Sequence, residues 1–337
     1  MIRHSLIADN FKFEAGGSLE KIEIVYHMSP RRKGKVIWIC HALTANSDVE
    51  DWWPQLVGPG KLIDTEKYCV VCVNMLGSSY GSSGPSSINP ATGEPYFFDF
   101  PKITVRDMVN AGILVRKELG IERIDLIIGS SIGGFQAIEW SVMEPDVIAN
   151  AVFIATSPRI SPWFSAMCEA QRMALEADPS FRECKDLCGG AAGLKCARAQ
   201  GLISYRSYEG YRQTQYETDE NTLFAGRAAS YERYQGEKLV RRNFDAYSYY
   251  YLCNALDSHN VGRGRGGIAT ALSNVKAETT VVGIASDGLF PVAEVRDMAA
   301  LIPGASYREI WSDFGHDGFL LENGQLTDII KPTIDRL

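Results

Sequence analysis

The stretch Gly129-Ser-Ser131-Ile-Gly133-Gly134-Phe-Gln-Ala-Ile-Glu-Trp-Ser-Val-Met143 decides the fold. It follows Ile124–Ile128, a short apolar run that reads as a buried strand. Its second half has no proline, so the chain turns from strand to helix inside a glycine-rich bend. A serine on so sharp a turn needs small neighbours, and the following helix aims its N-terminal amides at whatever reacts there. The same G-x-S-x-G pattern recurs at Gly77-Ser-Ser79-Tyr-Gly81, but Ser-Ser-Gly-Pro-Ser-Ser-Ile-Asn-Pro follows and cannot be a helix. Only Ser131 has the context of a nucleophile, although an ordinary strand-to-helix turn would read alike.

Outward from this bend, apolar runs and helical segments alternate. Lys21–Tyr26, Val36–Cys40, Tyr68–Val73 and Val147–Ala155 read as strands, and Thr104–Leu119 as an amphipathic helix opened by a capping box, Thr104-Val-Arg-Asp107. Such alternation predicts parallel strands joined by helical crossovers. From 158 to 267 strand-like runs vanish and tyrosines and charges thicken on a helical period. The alternation then resumes with strand Thr279–Ala285, helix Val292–Leu301, strand Tyr307–Trp311 and a helix near Leu326–Ile334. The expected architecture is α/β, a mostly parallel sheet flanked by helices: residues 1–157 and 268–337 form the catalytic core, and 158–267 an inserted helical cap.

Composition narrows the function. With 34 Lys and Arg against 41 Asp and Glu, the net charge is −7, the wrong sign for a surface that neutralises nucleic-acid or membrane phosphates. A small-molecule substrate is expected. The eight cysteines are dilute and irregular and read as reduced core thiols. Cys69-Val-Val-Cys72 lies in a strand-like run with no second pair at zinc spacing, so neither redox nor metal chemistry is expected. No signal-like apolar segment opens the chain and no membrane-length apolar run occurs, so a cytoplasmic enzyme is expected.

A serine needs an imidazole, and the imidazole a carboxylate, to become a nucleophile. In α/β-hydrolases the chain order is Ser, acid, His. Of five histidines only His259 and His316 follow Ser131; His259 sits in the cap, whereas His316 lies in Asp313-Phe-Gly-His-Asp-Gly318, directly after the last expected strand. Thr280-Val-Val-Gly-Ile-Ala-Ser-Asp287 puts an acid at the end of the strand before. Alone, Asp287 reads as a helix cap and His316 as a loop residue, but three residues in order at three strand ends select Ser131, Asp287 and His316. The loop after Val36–Cys40, His41-Ala-Leu-Thr44, is where this fold places an oxyanion donor, so the N–H groups of Leu43 and Ile132 are the candidates; packing of the loop is the plainer role. A rival motif, Gly262-Arg-Gly264-Arg-Gly-Gly267, matches a dinucleotide fingerprint with Asp287 twenty residues on. Its preceding residues, Asn254-Ala-Leu-Asp-Ser-His-Asn-Val261, are too polar for a buried strand, and it reads instead as a return loop whose Arg263 and Arg265 are available to an anionic ligand.

Several long blocks, taken together, resemble one family. They include Trp38-Ile-Cys-His-Ala-Leu-Thr44, Asp51-Trp-Trp-Pro54, Gly84-Pro-Ser-Ser-Ile-Asn-Pro-Ala-Thr-Gly-Glu-Pro95, Gly129–Gly134, Asp257–Gly267, Ser286-Asp-Gly-Leu-Phe-Pro291 and Gly315-His-Asp-Gly-Phe-Leu320. In this order they are similar to homoserine O-acetyltransferases of the α/β-hydrolase superfamily, over nearly the whole chain. The resemblance implies transfer of an acetyl group from acetyl-CoA to the hydroxyl of L-homoserine in methionine biosynthesis, by a ping-pong route through acyl-Ser131. It implies no metal or permanently bound cofactor, and a homodimer joined through the caps. It also implies that Arg198 and Tyr205 face the substrate and that Asp317 pairs with the substrate amine. Two positions depart from the family's common Gly-Gly-Ser-Met-Gly-Gly: Ser130 adds a Cβ beside the nucleophile, and β-branched Ile132 stiffens the oxyanion residue. Thr44-Ala-Asn-Ser-Asp48 also differs from the common Thr-Gly form. Succinyl transfer, serine as acceptor, a plain carboxylesterase and a non-catalytic relative remain the alternatives.

Overall fold

A computed structural model describes all 337 residues. Eight strands form one sheet: β1 (Ile2–Lys12), β2 (Ser18–Met28), β3 (Val36–Cys40), β4 (Cys69–Val73), β5 (Leu126–Ser130), β6 (Asn150–Ile154), β7 (Glu278–Ile284) and β8 (Ser306–Ile310). Their spatial order is β1-β2-β4-β3-β5-β6-β7-β8, with β2 antiparallel to both neighbours and every pair from β4 onward parallel. The inner strands β3, β4 and β5 are buried at every position, as strands covered on both faces must be.

The β1 strand is absent from the sequence-based expectation. His4, Leu6 and Ala8 are only partly covered, and the one buried residue, Phe11, falls out of step with them, so its period-2 signal is weak. Its partner register runs from Ile2↔Met28 to Lys12↔Ser18 around Gly16 and Gly17, both at positive φ, and that Gly-Gly pair is the turn signal that marks the hairpin.

Helix Val105–Glu118 starts at the capping box: the Thr104 hydroxyl accepts from the Asp107 N–H, and the Asp107 carboxylate accepts from the Thr104 N–H at 2.8 Å. It packs on helix Ile132–Met143, where Gly112 leaves room for Trp140, since a Cβ there would lie 2.7 Å from the indole. Trp140 in turn meets Trp38 of β3 edge to face at 4.9 Å.

Between β6 and β7 the chain is entirely helical: Pro162–Glu176, Pro179–Glu183, Ala191–Tyr205, Tyr208–Gln215, Arg227–Arg241, Ala246–Asp257 and Ile268–Leu272. Four of these begin at a side chain that caps a backbone N–H, namely Ser161, Asp178, Ser207 and Asp245. Ser79, from the discarded second G-x-S-x-G, donates to Asp245 at 2.9 Å and ties the core loop to this helical layer.

Two expectations need correction. Five cysteines are buried, but Cys184, Cys188 and Cys196 lie among the cap helices, with Cys188 and Cys196 exposed. The glycine-rich Gly262–Gly267 segment is the expected return loop and follows helix Ala246–Asp257, but its arginines are not available to a ligand because they already have anions. Arg263 meets Glu14 at 2.8 Å and Arg265 meets the buried Glu139 at 2.5 Å, beside Arg106 at 2.9 Å from the same carboxylate. These residues staple the return loop to the hairpin and to helix Ile132–Met143.

Candidate active site

Ser131 stands between β5 and helix Ile132–Met143 at φ 57° and ψ −128°, a backbone region that costs a side-chain-bearing residue about 1–3 kcal/mol. The surroundings enforce it. A Cβ on Gly129 would lie 2.2 Å from the Gly133 carbonyl oxygen, one on Gly133 would lie 2.1 Å from that of Cys40, and one on Gly134 would strike Thr156 at 2.5 Å. Thr156 also donates to the Ser131 carbonyl at 3.0 Å, and the Ser131 N–H donates to Ile154 of β6. Crowding thus falls on Gly129, Gly133 and Gly134. Ser130 is accommodated as the last residue of β5, although its buried hydroxyl has no partner.

Asp287 and His316 follow β7 and β8, so all three residues lie at the carboxyl edge of the parallel strands. Asp287 is almost fully buried. One carboxylate oxygen accepts from the N–H groups of Leu289 at 2.8 Å and Phe290 at 3.1 Å, and the other meets His316 Nδ1 at 2.7 Å. His316 Nε2 is buried and has no partner within the protein. Burial alone would push the His316 pKa down; the Asp287 charge and hydrogen bond, with Asp317 adding to them, leave it above the ordinary histidine value. An imidazole with Nδ1 fixed on a carboxylate and Nε2 free is arranged to take a proton from a hydroxyl.

Neither the Leu43 N–H nor the Ile132 N–H donates to any acceptor in the protein, which leaves both available to an oxyanion. The other histidines are otherwise engaged. The His41 ring lies between the Ala42 carbonyl and the Met75 N–H, and burial pushes its pKa down to about 4. His259 stacks on Phe135 at 3.8 Å and is pushed down to about 3 by burial.

Ser131 and His316 open into one cavity of about 270 Å³ between core and cap, which Leu43, Arg198, Tyr205 and Asp317 also line. Arg198 lies over the Tyr205 ring at 5.7 Å, and burial raises the Tyr205 pKa. The structure therefore brings six of the candidates, Leu43, Ser131, Arg198, Tyr205, His316 and Asp317, to one space, with Asp287 behind His316 and Ile132 directly after Ser131. Among the other lining residues, the cationic Arg206, Lys238 and Arg242 were not singled out in the sequence. A signal for two of them existed, because Tyr231, Gln235, Lys238 and Arg242 recur at helical spacing and all reach the cavity. Four cationic side chains line this space; Arg206 is paired with Asp317 and Arg242 with Asp51 at 3.1 Å, which leaves Arg198 and Lys238 as the cations without an ion pair, in a chain of net charge −7. No group of three or more His, Cys, Asp or Glu is arranged to hold a metal ion, and no helix is long and apolar enough to cross a membrane.

An eight-stranded, mostly parallel sheet with a serine on a strained turn after β5 and an acid and histidine after β7 and β8 defines the α/β-hydrolase class. The family model described as the alpha/beta hydrolase fold matches residues 35–323. Within that class the chain belongs to the homoserine O-acetyltransferase family. A homoserine O-acetyltransferase of Cyclobacterium marinum is 42% identical over 94% of this chain and 91% of its own length. Among solved structures, a homoserine O-acetyltransferase from Bacillus anthracis superposes with a TM-score of 0.90 at 25% identity, covering 99% of this chain and 97% of that one. An acetylester hydrolase from Corynebacterium glutamicum superposes with a TM-score of 0.87 over 99% of this chain and 96% of its own. At 24% identity that likeness speaks for the fold alone.

Proposed function

We propose that this enzyme moves an acetyl group from acetyl-CoA to the hydroxyl of L-homoserine by a ping-pong route through acyl-Ser131, as a step of methionine biosynthesis. The observation that carries the reading is the basic cavity joining Ser131 and His316 beneath the cap, in a chain whose well-covered relatives bear the name homoserine O-acetyltransferase. His316 Nε2 takes the Ser131 proton as Oγ bonds to the thioester carbon. The Leu43 and Ile132 N–H groups receive the oxyanion, the C–S bond breaks, and His316 returns the proton to the departing thiolate. The acceptor hydroxyl then gives its proton to His316 and attacks the acyl carbon; the bond to Ser131 Oγ breaks, His316 returns the proton to Oγ, and the ester leaves.

Transfer outruns hydrolysis when the acceptor is held and water is kept out. Arg198, beside Tyr205, is the residue for the acceptor carboxylate, and Asp317, next to the catalytic histidine, for its ammonium group. The cationic lining suits an acyl donor that carries phosphates. The reading includes no permanently bound cofactor or metal and a cytoplasmic location. It also includes a homodimer through the cap, for which the solvent-facing Tyr208, Leu223 and Phe224 offer apolar surface, each at least 80% exposed.

Initial rates with acetyl-CoA and L-homoserine varied together test the reading. Expected are parallel double-reciprocal lines and an O-acetylated product. Preference for succinyl-CoA or L-serine would overturn the donor or acceptor assignment, and thioester cleavage independent of homoserine would mark a hydrolase.

A further inference from the structure

The loop that carries His316 is gripped by the cap. Gly315, at φ +65°, packs so closely on the Tyr205–Ser207 backbone that a Cβ would lie 2.9 Å from three of its atoms. The Ser207 hydroxyl donates to the Asp313 carbonyl, Gln213 donates to the Asp313 carboxylate at 2.8 Å, and the Arg206 guanidinium lies over the Phe314 ring at 5.8 Å. At the centre of this clamp Arg206 Nε is 2.7 Å from Asp317 Oδ2, an ion pair whose angles are not those of an aligned hydrogen bond. Both side chains are only partly exposed, 23% and 16%, where a charge pair is less screened than at the surface.

We propose that Arg206 is a positioning residue for the acceptor: held by the cap, its guanidinium fixes the Asp317 carboxylate as the anion that receives the acceptor's ammonium group. This rests on the reading of Asp317 given above and deepens it. Asp317 needs such a partner. Burial raises its pKa, and Arg206 is the largest influence holding it down, followed by His316 on its own loop and Arg198 on helix Ala191–Tyr205; Asp287, after β7, acts in the other direction. Behind the arginines, Tyr211 donates to Glu232, whose second carboxylate oxygen is buried without a partner; that acid faces Arg198 and Arg206 and adds to the field that holds them. With Arg206 neutralised, the charge that most opposes the burial of Asp317 is gone, its pKa rises further, and less of it is present as the anion that attracts an ammonium ion. Raising the pH restores its charge and its hold on the acceptor.

The test is kcat/KM for L-homoserine, taken as the ratio of variant to wild type at about pH 6.5 and about pH 8 to cancel the titration of His316. Arg206→Met lowers the ratio at the acid end and the loss shrinks as pH rises, approaching tenfold per unit while Asp317 is mostly protonated. Arg206→Lys recovers most of the loss. In an Asp317→Asn background, Arg206→Met costs less than twofold more. A loss equal at both pH values, or one that adds to that of Asp317→Asn, overturns the proposal; should Arg206→Met not fold, Arg206→Gln gives the same readout. A wild-type enzyme that saturates with homoserine while these patterns fail sinks only the role of Arg206. Absence of any homoserine dependence sinks the underlying reading with it.

Discussion

Replacing Asp287 by Asn keeps the shape of the site and removes the logic of its proton transfer. One Asp287 oxygen already accepts from Leu289 and Phe290, so the Asn oxygen must take that place and its NH₂ must face His316 Nδ1, where Asp287 Oδ2 now lies at 2.7 Å. An NH₂ there donates to Nδ1, which drives the imidazole proton to Nε2 and leaves Ser131 without a base. Loss of the correct tautomer in serine triads costs roughly 10⁴-fold in rate, about 5 kcal/mol of barrier. The assay is rapid-quench measurement of acyl-enzyme formation with acetyl-CoA, alongside a thermal melt to verify folding. A folded Asp287→Asn protein acylated within about tenfold of wild type would refute the reasoning, because His316 would then not depend on Asp287 for its tautomer.

Other consequences follow from the same geometry. Acylation should fall as pH drops through an apparent pKa above 6.5, since His316 must be neutral to act as a base and its pKa is raised in the fold; an apparent pKa below 6.5 contradicts this. The stabilising effect of protonated His316 against Asp287 has the opposite sense. It is fully present below the unfolded-state value and is lost as pH rises through the folded one, which urea titrations across that window will read. Gly133→Ala puts a methyl group 2.1 Å from the Cys40 oxygen and should cost about 3 kcal/mol or more, read as a fall in melting temperature. Glu139→Ala leaves Arg106 and Arg265 without their shared carboxylate and should destabilise by about 2–3 kcal/mol in urea, discounted for the partial exposure of both arginines.

The core of the fold was legible because its parallel strands are short, fully apolar and separated by helical periods, and Thr104 and Asp107 marked a helix start that the structure repeats. The β1 edge was not, since an edge strand that buries little carries little pattern. The placement of Ser131, Asp287 and His316 could be read because each follows a strand-like run, and strand ends converge in a parallel sheet. The cap was harder. A helix sequence reveals its charged face but not what that face looks upon, so nothing local tells that Lys238 and Arg242 line the cavity. The pairing of Arg206 with Asp317 joins residues more than a hundred positions apart and leaves no local trace. The arginines of Gly262–Gly267 were legible as charges, yet only tertiary structure tells that Glu14 and Glu139 already satisfy them.

Intact-mass analysis with peptide mapping tests the central claim most directly: the protein is quenched after mixing with acetyl-CoA alone, then after a chase with L-homoserine or with buffer. The account predicts a single acetyl adduct on Ser131 that homoserine discharges as its O-acetyl ester much faster than water does. An adduct at another residue, a Ser131→Ala protein that still transfers acetyl groups, or equal discharge by buffer and homoserine would contradict it.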